Sequence, residues 1–376
     1  MSSGLYRSWI EVSRERIAGN FHAVQEAVGP NVEVAPVVKA DAYRHGAVEV
    51  SRVLEKAGAR WLAVSSVEEG VALREAGISA RILVMADFLP IEHEALFEFG
   101  LTPAIHSLED IGVLDRLAER KQSPMPFHLK IDTGMGRLGT RADSQEIVRV
   151  IQETKRARFE GLMTHFASAA LRASSQTDEQ IAAFDAVLES LESAGIRPAY
   201  QHLASTISIA YARRQAWRNM VRPGQAIYGY VSPVRGATPK PILSVRPALK
   251  WKATFLEVKE VPDGALIGYG GMFRAPRPMK IGILAVGYAD GFPHRLSGRG
   301  RVIVNGLYAS VLGAVSMDLT TVDLTEIPAV GVGATAILIG EQGGARIDAQ
   351  EIARLAGTIS YAVLCGISAR VKRVYL

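Results

Sequence analysis

The sequence predicts a (β/α)8 barrel of the TIM type followed by a mostly-β domain, which places the chain in the α/β class. From residue 34 onward, apolar runs typical of strands alternate with helical patterns of about 10–17 residues. Eight such runs in about 200 residues favour a closed barrel over an open sheet. After about residue 240 the helical spacing almost disappears and glycine-punctuated, β-branched segments follow, which indicates the second domain.

The individual elements follow from the same patterns. We expect residues 1–12 to contain a strand (5–12) that packs with the C-terminal domain, followed by a helix over about 13–28. The barrel strands are placed near 34–38, 61–65, 81–85, 101–105, 126–131, 159–164, 198–203 and 219–228. The clearest helix begins at Thr177, has Gln180 as its capping-box residue, and stops at Gly195. The later strands are placed at 248–260, 280–287, 301–312, 319–324 and 334–340, with one short helix near 348–356.

The length of the chain supports two domains, because 376 residues exceed the usual size of a single core. We place the boundary in the proline-bearing stretch 233–247. The barrel domain then covers 1–240, and the mostly-β domain covers 241–376.

Composition excludes several classes of function. The net charge of +5 is mild, and the basic residues are scattered among acidic ones, which argues against nucleic-acid binding and fits small anionic ligands. The single cysteine, Cys365, excludes an intrachain disulfide and a cysteine-rich metal site and favours a reducing compartment. No apolar run reaches the roughly 18 residues of a membrane span, and no signal sequence precedes the first strand. These observations predict a cytoplasmic protein with no membrane partner.

Lys39 ends a short apolar run that is typical of a buried strand. Tyr43 and Gly46 follow before the next helical pattern, so Lys39 lies at a strand-to-helix turn, where anionic ligands favour the helix N-terminus. A desolvated lysine can form a Schiff base. On this stretch alone, a lysine that merely extends from a strand end into solvent is an equally good interpretation.

Other polar residues stand at the ends of the predicted barrel strands, where the active sites of this fold lie. They are Lys39, the stretch from Lys130 through Asp132 to Arg137, Thr164 and His165, residues 202–206, and Arg222 with Gly224. The lysines and arginines among them suit a carboxylate or a phosphate.

Each of these stretches also has a plain structural interpretation. The run 132–139 contains Gly-x-Gly-x-x-Gly, but it follows the fifth barrel strand rather than the first, so its glycines more simply shape a loop that presents Arg137. A lone His165 is more often structural, and no second ligand at metal spacing accompanies it, so no metal site is predicted. Tyr269 and the run 315–318 would each pass as turn residues of a β domain.

Taken together, however, these stretches resemble the alanine racemase family, and they occur in the family's order along the whole chain. The matching motifs are Val37-Val38-Lys39-Ala40-x-Ala42-Tyr43-x-His45-Gly46, Lys130-Ile131-Asp132-Thr133-Gly134-Met135-Gly136-Arg137-Leu138-Gly139, Thr164-His165-Phe166-Ala167, Val221-Arg222-x-Gly224-x-x-x-Tyr228-Gly229, Gly268-Tyr269-Gly270, Gly287-Tyr288-Ala289-Asp290-Gly291, Ser316-Met317-Asp318 and Thr358-Ile359-Ser360-Tyr361.

The resemblance implies a homodimeric enzyme that uses pyridoxal 5'-phosphate to interconvert L- and D-alanine, supplying D-alanine for peptidoglycan. It implies that Lys39 bonds the cofactor and that Arg222 faces the pyridine nitrogen. Because an arginine does not readily give up its proton, that nitrogen should stay unprotonated and the cofactor should be a weaker electron sink. The resemblance assigns the phosphate to residues of two loops and two tyrosines, namely Tyr43, Ser205, Thr206, Gly224 and Tyr361.

Racemisation needs a base on each face of the substrate, and the resemblance assigns Lys39 to one face and Tyr269 of the partner subunit to the other. It implies that His165, linked to Arg222, supports this tyrosine, whose ordinary pKa of about 10 makes it a poor base. It further implies that the substrate carboxylate contacts Arg137 and the backbone of Met317. Lys130 matches a lysine that is often carbamylated in the family, where it steadies Arg137.

The sequence departs from the family's pattern at several positions. The turn after Lys39 has Asp41 and Arg44 where Asn and Gly are usual. Three charged residues common at the family's active-site entrance are replaced, at Ala170, His294 and Ala314. We hypothesise a wider or less charged mouth that admits amino acids larger than alanine.

Three alternatives follow from the same motifs. The first is a racemase of broader specificity that also acts on serine. The second is a pyridoxal-phosphate decarboxylase of the same barrel-plus-β architecture, against which the Met317 and Tyr269 stretches argue. The third is a non-catalytic pyridoxal-phosphate carrier, against which the second domain argues, because such barrels lack residues like 248–376.

Overall fold

The computed structural model describes residues 6–171, 173–236 and 240–376, and its internal contacts divide the chain into two units. The barrel unit comprises Arg16–Ala42 and Ala47–Arg246. The β unit comprises 6–15, Tyr43–Gly46 and Pro247–Leu376. A short stretch after Lys39 therefore belongs to the β unit although barrel residues flank it.

The barrel unit contains eight parallel strands. They are Glu33–Val34, Trp61–Val64, Arg81–Val84, Thr102–Ile105, Met125–Lys130, Ala157–Met163, Tyr200–His202 and Met220–Val221. The middle six pair in chain order, and the first pairs with the eighth. Single bridges from Val37 to Ala63 and from Ser205 to Arg222 join this outer pair to the two ends of the six-stranded sheet. The strand order confirms the predicted barrel.

The first barrel strand is shorter than the sequence predicted. Backbone hydrogen bonds continue beyond Val34, from Ala35 to Val221 and from Val37 to Pro223. Pro36 has no N–H to donate, so the regular ladder is interrupted there. The backbone nevertheless remains paired up to Lys39, and the predicted position of this lysine at the strand end is unchanged.

Helices alternate with these strands, and three of them begin at a residue whose side chain caps the first turn. Ser66, Ser107 and Asp143 each accept a hydrogen bond from a backbone N–H of the first helical turn. The helices are Arg14–Val28, Ala47–Lys56, Val67–Glu75, His93–Glu98, Leu108–Arg120, Ser144–Glu153, Gln176–Ser193 and Thr206–Ala210, with 3-10 turns at Pro90–Glu92, Arg214–Ala216 and Gln225–Tyr228.

The predicted capping box at Thr177 and Gln180 is wrong. The helix begins at Gln176, and the side chain of its N-cap residue, Ser175, makes no capping bond; the hydroxyl of Ser174 accepts from the N–H of Gln176 at 3.2 Å instead. The side chain of Gln180 is fully buried and bonds neighbouring loops instead, because partners in the tertiary structure outcompete the local cap.

The β unit is built on a nine-stranded sheet. The N-terminal strand Ser8–Val12 lies between Leu249–Val261, to which it is antiparallel, and Lys372–Tyr375, to which it is parallel. Pairing of Thr335–Gln342 with Leu249–Val261 closes part of this sheet on itself. The other strands are Met279–Leu284, Arg301–Val304, Leu307–Leu312, Thr320–Asp323 and Ala345–Ile347, and Leu266–Ile267 pairs with Phe273–Arg274 in a separate hairpin.

The β unit has two helices where the sequence predicted one. Ala349–Ala356 begins at the cap Asp348 and ends at Gly357 in the left-handed conformation. The additional helix, Ser360–Cys365, is only six residues long, too short for a periodic pattern to reveal it. No helix in the described part of the chain is both long enough and apolar enough to cross a membrane.

Candidate active site

Lys39 opens a left-handed turn at the open end of the barrel. The residues from Ala40 to Arg44 all have φ between 53° and 65°, although none is glycine. This conformation costs about 1–2 kcal/mol per residue for L-amino acids, so surrounding contacts must maintain it. The carboxylate of Asp41 accepts from the N–H of Ala47 at 2.8 Å, a bond that the amide oxygen of the usual Asn could also accept. The Nζ of Lys39 bonds no residue in the described part of the chain.

Arg222 is buried and held only by neutral acceptors. Its Nη1 donates to the Nδ1 and the carbonyl of His202 at 2.6 and 2.7 Å, and its Nη2 donates to the carbonyl of Thr164 at 2.6 Å. Burial lowers the pKa of Arg222 to about 10, so the guanidinium stays charged at neutral pH. His165 is not among its hydrogen-bond partners, in contrast to the link between His165 and Arg222 that the family resemblance implied.

A line of buried histidines extends from Arg222 into the barrel core. An arginine only donates, so the Nδ1 of His202 must carry a lone pair and its proton must lie on Nε2. That nitrogen lies 2.8 Å from the Nδ1 of His128. The Nε2–H of His128 is then directed towards Glu160, 3.9 Å away. Burial lowers the pKa of both histidines, so both are neutral.

The line ends at a charge pair. Arg81 bonds both carboxylate oxygens of Glu160, at 3.0 and 2.5 Å. Burial alone would raise the pKa of Glu160, but the facing His128 and the bonds from Arg81 lower it to about 2. The sequence analysis missed His128. Its spacing of two from Lys130 on one strand, which places both on one face, was the signal that could have found it.

Lys130 is buried among cations. It is 5% exposed, and no acceptor or acid bonds its Nζ within the described residues. Burial lowers its pKa to about 8, and three nearby charges add to the effect. These charges are Arg222, Arg137 and Lys39. Asp132 acts in the opposite direction but more weakly.

The loop 132–139 presents Arg137. The Oδ1 of Asp132 accepts from three successive N–H groups, those of residues 134, 135 and 136, and Oδ2 accepts from Arg141 at 2.8 Å. Gly139 has φ +125°, and a Cβ there would lie 2.7 Å from the backbone nitrogen of Asp132, so the turn requires glycine. Arg137 is exposed and bonds no other described residue, which leaves its guanidinium available to a ligand.

His165 follows the strand Ala157–Met163 and is half-buried. Burial lowers its pKa to about 3, and neighbouring cations add to the effect, so the ring is neutral. These cations are Arg222, Arg137, Lys130 and Lys39. The same residues thus surround both His165 and Lys130, which brings the predicted catalytic residues of the barrel unit together.

The segments that follow the last two barrel strands carry small residues, among them Ser205, Thr206 and Gly224. Ser205 begins the short helix Thr206–Ala210 and bridges to Arg222. The hydroxyl of Thr206 accepts from the N–H groups of Gly224 and Ala226, at 3.1 and 3.2 Å, and so ties the two loops together.

The β unit holds the remaining predicted residues. The rings of Tyr43 and Tyr361 lie 5.8 Å apart between centroids. Tyr269 stands in the turn of the hairpin formed by Leu266–Ile267 and Phe273–Arg274, and its side chain is 77% exposed. Met317 is exposed, its carbonyl accepts from the N–H of Ala289, and its own N–H has no acceptor among the described residues.

The three entrance positions are small or exposed. Ala170 is half-buried, and its carbonyl accepts from Arg235. His294 is exposed, with its ring near that of Tyr288. Ala314 lies beside the Tyr269 turn, because a Cβ on Gly268 would come within 3.1 Å of its nitrogen.

The barrel residues fit pyridoxal 5'-phosphate. The amine of Lys39 is available to an aldehyde, the charged Arg222 can donate to a pyridine nitrogen, and the surrounding cations favour an anionic group. The described residues contain no group of three side chains arranged to hold a metal ion. The fold and the site together define a pyridoxal-phosphate enzyme that combines a (β/α)8 barrel with a β domain.

Comparisons with known proteins identify the family. The model of the alanine racemase N-terminal domain matches residues 12–233, and that of the C-terminal domain matches 248–375. The alanine racemase of Halothermothrix orenii is 42% identical over 98% of this chain and 96% of its own length. That of Carboxydothermus hydrogenoformans is 40% identical over 98% and 99%. The chain belongs to the alanine racemase family and is an isomerase.

Solved structures agree with this assignment. Alanine racemase from Clostridium difficile 630 has a TM-score of 0.91 at 32% identity, covering 98% of this chain and 96% of that one. The enzyme from Bartonella henselae, solved with covalently bound pyridoxal phosphate, has a TM-score of 0.86 at 27% identity, covering 98% and 99%. The cofactor of the family, and of this chain, is pyridoxal phosphate.

Proposed function

We propose that this chain racemises alanine by a two-base mechanism in a homodimer, with Lys39 on one face of the substrate and Tyr269 of the partner subunit on the other. The observation that carries the proposal is the cluster of four cations formed by Lys130 with Arg222, Arg137 and Lys39, none of which is paired with an acid. Such a site favours ligands with a phosphate and a carboxylate. When bound, pyridoxal phosphate withdraws electrons from the substrate α-carbon and so acidifies its hydrogen.

The protein binds and orients the reactants. Arg137 and the free N–H of Met317 hold the substrate carboxylate, Arg137 through two parallel hydrogen bonds. Tyr43, Ser205, Thr206, Gly224 and Tyr361 hold the phosphate. Arg222 would face the pyridine nitrogen, and its neutral partner His202 cannot take its proton, so it would remain a donor.

The bases transfer protons on opposite faces. The Nζ of Lys39 removes or returns the α-proton on one face, and the hydroxyl of Tyr269 of the partner subunit does so on the other. Exposure of Tyr269, Met317 and Met272 supports burial of this surface by a second copy of the chain. Neutral His165 is able to accept the tyrosine proton or a hydrogen bond from it.

Lys130 is proposed to be carbamylated. Carbamylation joins the neutral amine to carbon dioxide and releases one proton, and it converts a cation into an anion. A pKa of about 8 leaves about a tenth of the amine neutral at pH 7, far more than for an ordinary lysine. The carbamate would pair with Arg137. Mass spectrometry does not preserve this labile bond well, so a carbamate signal in ¹³C NMR after ¹³C-bicarbonate addition is the test.

The reaction class is tested with L-alanine in deuterated water. We expect α-deuteration together with loss of optical rotation. Carbon dioxide release would instead indicate the decarboxylase, and neither change would indicate the carrier. Borohydride reduction followed by peptide mapping should place the cofactor on Lys39.

The two-subunit site is tested by mixing two inactive chains. In a hybrid of Lys39→Ala and Tyr269→Phe, one site keeps both bases if Tyr269 acts across the dimer, and no site does if it acts within its own chain. Equal mixing makes about half of the dimers hybrids with one intact site of two, so about a quarter of wild-type activity is expected. Absence of recovery, with hybrid dimers demonstrated by native mass spectrometry, contradicts the assignment.

The substrate range is proposed to extend beyond alanine. Ala314 places a methyl group beside the Tyr269 turn, where an arginine would occupy space and add charge. We expect measurable turnover of L-serine, and we expect Ala314→Arg to lower kcat/KM for serine more than for alanine. Equal effects on both substrates would contradict this. We also propose that the enzyme works in the cytoplasm and supplies D-alanine for peptidoglycan.

A further inference from the structure

Gln180 is a buried amide with all its strong contacts on two loops of the active site. It lies on Gln176–Ser193 and is fully buried. Its Nε2 donates to the hydroxyl of Thr133 at 3.2 Å and to the carbonyl of His165 at 3.0 Å, and its Oε1 accepts from the N–H of Ala167 at 2.9 Å. Any buried amide needs hydrogen-bond partners. The partners of Gln180, however, lie on two different loops, 132–139 and 164–168, so its side chain bridges them.

Gln176 repeats the arrangement one helical turn earlier. Residues four apart stack on one face of a helix, so both side chains reach the same side. The Nε2 of Gln176 donates to the carbonyl of Gly134 at 3.2 Å, and its Oε1 accepts from the hydroxyl of Ser168. Each glutamine therefore contacts both loops, donating to the loop 132–139 and accepting from the loop 164–168.

The contacts continue to Arg222. Because the hydroxyl of Thr133 accepts from Gln180, its own proton is free to go to the hydroxyl of Thr164, 2.8 Å away. The carbonyl of Thr164 in turn accepts from Arg222. Hydrogen bonds thus connect the helix, through both loops, to Arg222, with Thr164 itself as the covalent link between the last two bonds.

We propose that Gln176 and Gln180 are positioning residues that fix the loops carrying Arg137 and His165 in one relative arrangement, the glutamine clamp. The roles of those two loops rest on the proposed function. Only an amide suits the clamp, because glutamate cannot donate to the carbonyl of His165 and methionine can neither donate nor accept strongly. The clamp also accounts for the absence of a capping box at Gln180.

The test compares Gln180→Met with Thr177→Val by hydrogen exchange. Thr177 lies on the same helix turn and is equally buried, but its hydroxyl has no hydrogen-bond partner among the described residues, so its replacement is a matched control. In the intact protein without alanine, we expect Gln180→Met to speed amide exchange about five- to tenfold in both 133–136 and 165–168, as loss of one net hydrogen bond implies. Thr177→Val should change neither segment.

Kinetics supply the second measurement. We expect Gln180→Met to lower kcat/KM for alanine about 10- to 100-fold, the range for residues that orient catalytic groups, with the KM for alanine raised because Arg137 is displaced. Gln180→Glu should behave similarly despite its matching size. If Gln180→Met does not fold, the half-buried Gln176→Met gives the same comparison.

Two results would overturn the clamp: faster exchange confined to 165–168, or equal effects in the control. Failure of the proposed function is distinguishable, because a protein that exchanges as expected but does not racemise alanine retains the clamp and loses the proposed chemistry.

Discussion

Arg222 in the barrel unit and Arg370 in the β unit are both anchored through hydrogen bonds, but to acceptors of different charge. Arg222 bonds a neutral histidine and carbonyl groups, and burial lowers its pKa to about 10. Arg370 bonds the carboxylates of Asp290 and Asp318, at 2.7 and 2.5 Å, and these bonds raise its pKa.

The difference separates a cation kept for a ligand from one used for structure. The charge of Arg222 is not cancelled by the protein, and it adds to that of Lys39, Lys130 and Arg137. The charge of Arg370 is cancelled, and its two bonds hold together the stretches that carry Asp290 and Asp318, next to Met317. The presence or absence of acids around an arginine therefore distinguishes the two roles.

The largest expected effect is that of Arg222→Met on activity. Loss of the charge facing the cofactor should lower kcat/KM for alanine by about 10²–10³-fold, the magnitude for removing one preorganised electrostatic contact. Stability should change little, because removing a desolvated cation offsets the acceptors left unpaired. Steady-state kinetics and urea unfolding measure the two effects. Arg222→Lys keeps the positive charge but loses the planar guanidinium and its several N–H donors, so it should recover only part of the activity. A variant that loses stability but keeps activity would break the comparison.

Arg370→Met should show the opposite pattern. It leaves the carboxylate of Asp290, a residue that is 2% exposed, with one hydrogen bond, from the backbone N–H of Gly287. Because the arginine itself is 43% exposed, we expect a loss of only about 1–3 kcal/mol in the free energy of unfolding. Adding Asp290→Asn should recover part of the lost stability, because the double variant no longer buries an unpaired charge. No recovery in the double variant would show that the charge pair is not the cause.

Lys130→Met tests the lowered pKa of Lys130 through the pH dependence of stability. The folded pKa of about 8 lies below the unfolded value, so between these values the unfolded chain binds more protons and stability rises with pH. In carbonate-free buffer, the variant should lack this rise and be more stable than the wild type below pH 8, by on the order of 1 kcal/mol. Bicarbonate should then stabilise only the wild type. Parallel pH profiles of the two proteins would contradict the lowered pKa.

The smallest expected effect is that of His165 on acid stability. Its folded pKa of about 3 lies below the unfolded value, so stability should fall as pH drops from about 6.5 towards 3. His165→Asn should remove this dependence, reducing the loss between pH 7 and 5 by up to about 1 kcal/mol after solvent screening. Urea unfolding at both pH values measures it, and an unchanged difference would place the titration elsewhere.

The barrel was predictable because its strands are apolar runs whose ends carry the charged residues, so Lys39, Lys130 and Arg222 could be located in advance. The conformation after Lys39 was not, because Ala40 and its neighbours have no intrinsic preference for positive φ and adopt it only in their tertiary context. Gln180 shows the same limit, since its local pattern matched a cap while its partners lie elsewhere in the sequence. His128 could have been found from the two-residue period of its strand alone, which places it on the same face as Lys130.

The arrangement of the N-terminal strand has a consequence for synthesis. Ser8–Val12 is synthesised well before its two neighbours in the sheet, Leu249–Val261 and Lys372–Tyr375. Its inward-pointing side chains, Ser8, Ile10 and Val12, therefore remain unpaired while the barrel is synthesised. Such an edge invites association between nascent chains, so a chaperone that covers Ser8–Val12 should raise the yield of folded protein more than one acting later.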